Sequence, residues 1–326
     1  MLSDFQTRVD QFAQVPSTIF PGAAPNDYAG NRDAAIAGAV REYSGRRPRV
    51  LVTVATPMGA GTFEYLIPPG TPIVAQGGTA GCLNISGWNE DQYFIERIVF
   101  PYGKFFGYQR MEVDWKWWTV YKKEDGQQYI QFWDMIPSSG LKMGIYYIAP
   151  HVVADLVATS SPSAGSSVSV TLPTTAGLNG GLLVSVKDTV HTETAQIVPV
   201  SLLATSITAT TITLTTLAHA YTTPTVRVDT ITAEHPQDVD AVAHLATSIL
   251  LGQLANLYSD KQRSTMKADT VVYGDKSRHY SERAQAERDL YVAAMARVPQ
   301  VNGATMQWQT SATGGGDRLV HRKNWS

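Results

Sequence analysis

Cysteine is almost missing: Cys82 is the only one in 326 residues. A single thiol can form no intrachain disulfide, and cysteine-rich zinc or redox motifs are excluded with it. Cys82 lies in a glycine-rich stretch, Gly77 to Ile85, with no neighbouring histidine, so it reads as a small residue at a turn or strand start. Charge is also scarce, at 17% of residues against a usual quarter or so. The formal net charge is −2, from 26 basic and 28 acidic residues, which excludes whole-chain attraction to nucleic acid or to an acidic membrane. Nowhere do about 18 apolar residues run together, so no membrane-spanning helix and no membrane partner is expected. Asp4, Arg8 and Asp10 interrupt the apolar run that a leader would need, so synthesis in a reducing cytoplasm is expected.

What is present is globular: 44% hydrophobic and 10% aromatic residues, enough for one large domain or about two. Two helical signatures stand far apart, Arg32 to Pro48 and Ala268 to Tyr291, with β-type sequence between them. Phe5, Val9 and Phe12 mark an apolar stripe behind Ser3 and Gln6, which predicts a helix over about 4–14. Ile36, Val40 and Tyr43 share one face of a second helix that starts near Asn31 or Asp33 and closes at Pro48.

From Arg49 the period changes to that of strands: Leu51–Val54, Phe63–Ile67, Tyr93–Phe100, Arg110–Lys122, Tyr129–Trp133 and Leu141–Ile148. Glu124-Asp125-Gly126-Gln127 between two alternating runs marks a hairpin. Trp88, Trp115, Trp117, Trp118 and Trp133 crowd this region. Along one strand, Trp115 and Trp117 would share a face, and Lys116 and Trp118 the other. A platform for stacking bases or sugars is one use of such a strand; a core face backed by a subunit contact is the stronger one.

Over 156–229 charges thin to Lys187, Asp188, Glu193, Arg227 and Asp229, and Thr and Ser dominate. Alternating runs near Val168, Leu183, Thr194, Ile207 and Thr225 predict a small all-β module inserted through a surface loop. Beyond it His235-Pro236 and Asp238 open a buried helix with Val242, Leu245, Ala246, Ile249, Leu250, Leu254 and Leu257 on its stripe. A charged final helix spans about 276–297, its apolar line Tyr280, Ala284, Tyr291 and Ala294 broken by Glu287. The last residues, 300–326, carry Gly314-Gly315-Gly316 and a basic, aromatic end.

Catalytic motifs are wanting. Ser160-Ser161 lack a nucleophile-elbow spacing, and His191 with Glu193 is a common accident of strand spacing. His219, His235 and His244 show neither HExxH nor clustered carboxylates, so no metal and no cofactor are expected. Met58-Gly59-Ala60-Gly61-Thr62 lacks the Lys-Ser/Thr end of a phosphate loop. An enzyme is not expected.

Several runs carry a resemblance instead. Ala34 to Val52, Gly87-Trp88 followed by Tyr93 to Pro101, Pro137 to Gly140, Tyr147 to His151, Asp238 to Ala246 and Ala268 to Ser277 occur in the order found in head–tail connector proteins of tailed bacteriophages, the adaptor family. The chain resembles that family over about two thirds of its length. Glu193 to Val198 and Thr210 to Tyr221 separately resemble a small β domain of phage surface proteins, which simpler adaptors replace by a loop.

The resemblance implies an α+β fold: a small helical bundle from both chain ends, an antiparallel β region in the middle and an inserted all-β module. Residues 1–155 with 230–299 would form the adaptor core, 156–229 the module and 300–326 an extended tail. It further implies a ring of roughly twelve copies under the capsid portal, joined through heterologous contacts and extending the DNA channel. Arg278, Glu282, Arg283 and Arg288 of the last helix would serve the subunit interface, with a solvated face as the plainer reading. Trp308, Arg318, Leu319, Arg322, Lys323 and Trp325 of the tail would dock into the portal protein. Other implied partners are a tail or head-closure nozzle protein, double-stranded DNA in non-specific passage, and tail fibres or collar through 156–229. The location would be the virion, with assembly in the host cytoplasm. The rival expectation is a carbohydrate-binding or adhesive virion protein.

Overall fold

The computed structural model describes residues 2–55, 64–70, 80–102, 112–124, 126–133, 141–199, 207–208, 210–264, 270–296, 307–309 and 318–320. It is mixed α+β, with helices towards both ends and strands in the middle. The helices are α1 (Leu2–Ala13), α2 (Tyr28–Arg46), α3 (Thr230–Glu234), α4 (Val239–Ser264) and α5 (Thr270–Ala296). α2 begins earlier than the apolar spacing predicts, because the Asp27 carboxylate caps it by accepting from the Gly30 N–H. α4 likewise waits for two short pieces, α3 and a 3-10 turn over Pro236–Asp238. α5 starts six residues before the expected boundary at Lys276, at Thr270.

The helices share one core: Phe5 and Val9 of α1, Ile36, Val40 and Tyr43 of α2, Val242, Leu245 and Leu250 of α4, and Tyr291 of α5. These are the stripes that the helical period marks. Glu287, the break in the apolar line of α5, pairs with His244 of α4 (2.6 Å), and the Phe12 ring stacks on His244 at 4.2 Å.

The middle consists of two four-stranded sheets. One has the order β1-β8-β4-β5, from β1 (Arg49–Ala55), β4 (Phe94–Val99), β5 (Glu112–Val113) and β8 (Met143–Ala149). The other has the order β3-β2-β7-β6, from β2 (Glu64–Leu66), β3 (Ala80–Cys82), β6 (Trp118–Lys122) and β7 (Gln128–Phe132). Ile98, Ile145 and Tyr147 of the first share a core with Tyr65, Ile130 and Phe132 of the second. β6 and β7 pair antiparallel, as expected of a hairpin, with Asp125 of the connecting turn outside the described residues.

One strand prediction fails. Between β5 and β6 the chain forms a 3-10 turn over Trp115–Trp117, so these two rings do not share a strand face. Asp114 is the cause: its carboxylate accepts from the Lys116 N–H and its carbonyl from the Trp117 N–H, which curls the chain. Trp115 is left 79% exposed, while Trp117 and Trp118 pack against the sandwich core.

The module is all-β with its own core. β9 (Val153–Val157), β11 (Leu183–Lys187), β12 (Thr192–Gln196) and β14 (Thr225–Asp229) form a sheet of order β12-β11-β14-β9. β10 (Gly165–Thr171) pairs with β13 (Thr211–Leu217). Val170, Val184, Ile197, Leu214 and Val226 close the space between the two sheets. Its first strand, β9, starts at Val153, just before the stretch where charge thins out. In the tail, β15 (Gln307–Gln309) pairs antiparallel with β16 (Arg318–Val320), setting Trp308 opposite Leu319.

Candidate functional site: assembly surfaces around a polar junction

Three units meet at Arg49, the first residue of β1, whose side chain has no solvent exposure. Its guanidinium donates from Nε to Glu234 of α3 (2.7 Å), from Nη1 to the Gly177 carbonyl of the module (2.8 Å) and from Nη2 to Asn179. One buried cation thus ties the sandwich, the module and the end of α3 together. Neighbouring contacts extend the seam. Ser86 shares a hydrogen bond with Thr175 (2.6 Å), and Gly177 sits at φ +72° with its Cα side against Val152, where a Cβ would overlap that side chain.

A second buried joint links α2 to the approach of α4. Tyr43 donates its hydroxyl to Asp238 (2.7 Å), and Arg47 pairs with the same carboxylate oxygen (2.6 Å). Burial and the hydrogen bond to Asp238 push the Tyr43 hydroxyl pKa far up, so it stays a donor. Beside this joint lies His151, 4% exposed, with Nε2 3.0 Å from the Arg47 carbonyl and its backbone N–H donating to Ser44. Burial, helped by the nearby Arg49 and His235, pushes the His151 pKa down to about 4, so the ring is neutral near pH 7.

Outward from this junction the β1-β8-β4 face presents an apolar row. Val50 and Phe94 flank Ile148 in register, and each is 54% exposed. On the same side Arg97 lies over the Tyr146 ring at 4.3 Å. Phe94 and Ile148 also line a cavity of about 650 Å³ that α2 closes with Ala37, Val40, Arg41 and Ser44, and whose rim holds Glu90 and Asp91.

The residues singled out on the last helix divide. Arg278 and Glu282 form an exposed i,i+4 pair (2.8 Å) facing solvent. Arg283 is used inside the chain, donating to the Phe12 and Ala13 carbonyls at the end of α1 (2.7 Å to Ala13). Arg288 reaches Glu42 of α2 (3.1 Å). Trp308, Arg318 and Leu319 fall on the tail's two strands, whereas Arg322, Lys323 and Trp325 lie outside the described residues.

Other sequence candidates have structural partners. Ser160 accepts from the Thr171 N–H (2.9 Å), and the Glu193 carboxylate from Ala218. His191 stacks on His219 at 4.3 Å. Cys82 contacts the Pro68 carbonyl and Asn84. Met58 to Thr62 lie outside the described residues. Periodicity gave no hint of Arg49, His151 or Glu234, since each is polar and stands at the end of an element or between two, not on a repeating apolar stripe. Among the described residues no helix is long and apolar enough to cross a membrane. Comparison with known proteins found no matching protein family, no matching curated protein and no matching solved structure.

Proposed function

We propose that this protein is a virion structural protein that forms a ring between portal and tail, extends the DNA channel and attaches the tail to the head. A closed ring needs two unlike faces on each subunit, one meeting the other on the next copy. The observation that supports the reading is a pair of unlike exposed features, the apolar row of Val50 and Phe94 around Ile148 and the charged pair Arg278 and Glu282 on α5, which would serve as those faces. The apolar row supplies burial and the charges supply register. The tail hairpin with Trp308 and Leu319, followed by Arg322, Lys323 and Trp325, suits docking into a portal groove. The module, joined at one seam, would offer the surface for fibres or a collar. A formal charge of −2 suits sequence-independent passage of DNA.

A carbohydrate-binding or adhesive role is the second reading, favoured by the exposed rings of Trp115 (79%) and Trp133 (60%). Electron microscopy of purified virions tests the first: a ring at the neck with outward knobs is expected. A protein that stays monomeric, ignores portal and binds glycans supports the second. Deleting residues 306–326 should release the ring from portal; unchanged attachment would remove the docking role from the tail.

A further inference from the structure

The chain crosses into the module at β9 and leaves it at β14, and these two strands pair with each other. Just outside that pair stand His151, on the approach to β9, and Glu234 and His235, on the exit from α3. Each of the three offers one ligand atom, and those atoms lie within 4.8 Å of one another. We propose that His151, Glu234 and His235 form a divalent transition-metal site, of the zinc type, which clips both ends of the module to the helical bundle.

Chemistry supports the set. Two imidazoles and one carboxylate without a thiolate make a borderline donor set that suits Zn²⁺, Co²⁺ or Ni²⁺, with a remaining position for water. The His151 Nε2 lies 3.0 Å from the Arg47 carbonyl. A carbonyl can only accept, so Nε2 carries the proton and Nδ1 keeps its lone pair. Metal-binding histidines are commonly oriented this way, by donating the other ring nitrogen to a backbone carbonyl. The competing donor beside Nδ1 is Thr230 (3.2 Å), whose hydroxyl has an alternative acceptor at equal distance in the Val152 carbonyl. Glu234 gives one oxygen to Arg49 at 2.7 Å, which leaves its second oxygen for a metal. The carboxylate would thereby couple the metal to the buried guanidinium that already holds the module. Ligand atoms at the 4.8 Å limit must close by more than an ångström to meet one tetrahedral ion at about 2.0–2.2 Å, a movement that falls to the half-buried His235 and the exposed Glu234.

The test uses the full-length protein without a histidine tag, stripped with a chelator, then titrated with Zn²⁺ by calorimetry and with Co²⁺ by visible absorption. One equivalent per chain, a Co²⁺ spectrum without a thiolate band and a raised melting temperature are expected. His235→Gln and Glu234→Gln should each weaken binding at least about tenfold and abolish the melting shift, while metal-free melting stays near that of the wild type for His235→Gln and falls for Glu234→Gln, which leaves the buried Arg49 without its counter-charge. His235→Gln leaves the Arg49–Glu234 ion pair in place, which separates loss of the metal from loss of the ion pair. His191→Ala should leave binding unchanged. Absence of stoichiometric binding would overturn the proposal, as would binding that survives His235→Gln or is removed by His191→Ala, the second histidine pair of the chain.

Discussion

The inserted module and the seam that holds it are built from opposite materials. Inside the module Val170, Ile197, Leu214 and Val226 are fully buried, and among the described residues no charged side chain is buried with them. At the seam the contacts are a buried guanidinium, a hydroxyl pair and a glycine pressed against Val152. The helical bundle repeats the contrast: an apolar interior, with Tyr43, Arg47 and Asp238 at its edge. Apolar packing is non-directional, so it stabilises each unit without fixing where the next unit sits. A cation that donates to three acceptors accepts few orientations. The units therefore supply stability, and the junction supplies placement.

Breaking the junction should cost most. Arg49→Ala leaves Glu234 and Asn179 facing a void and is expected to lower stability by about 3–5 kcal/mol. Hydrogen exchange should show the segment around 175–179 opening first, and uniform loosening of the whole chain would contradict the contrast. Next come paired truncations, Leu214→Ala in the module and Leu250→Ala in the bundle, both at fully buried sites. Each should cost about 2–5 kcal/mol, and protease digestion should free the module in the first and the bundle in the second. Gly177→Ala sharpens the comparison at one position. A positive φ and the overlap with Val152 should cost about 1–3 kcal/mol in urea unfolding, with the module core left intact by its own exchange protection.

The smallest effect is electrostatic and lies away from the junction. Burial works to raise the Glu64 carboxyl, but hydrogen bonds from Lys123 and Tyr121 and the charge of Lys123 outweigh it and hold the pKa below 4.5. A carboxyl depressed on folding contributes stability that is fully present above its unfolded pKa and lost as pH falls through its folded one. The stability gap between wild type and Glu64→Gln should thus be constant near pH 7 and shrink below pH 4.5, as read by unfolding at stepped pH. A gap that widens on acidification would contradict the assignment.

The stripes of the helices could be read directly, because burial against one partner face imposes a period of 3.6: Val9, Ile36, Val40, Leu245 and Tyr291 all fall inside. The module was legible for the same reason at period two, with Val184 and Val186 in its core. Trp115 was misread because alternation continues through it while a side chain, Asp114, redirects the backbone. Arg49 left no periodic trace, since what buries it is three acceptors from other units. His151 and His235 escaped as a pair because rings brought together across an insertion, 5.7 Å apart between centroids, have no sequence spacing. Arg283 looked like a surface charge until the end of α1 was found to occupy it.

Ring assembly is tested most directly by mass measurement and negative-stain microscopy of the purified protein, alone and mixed with portal, for the wild type and for Phe94→Asp and Arg278→Glu with Glu282→Arg. Closed rings of uniform size, roughly twelve subunits, that seat on portal are expected for the wild type, with loss of closure in both variants and no loss of fold. A wild-type protein that stays monomeric with portal present, or rings that persist in both variants, would contradict it.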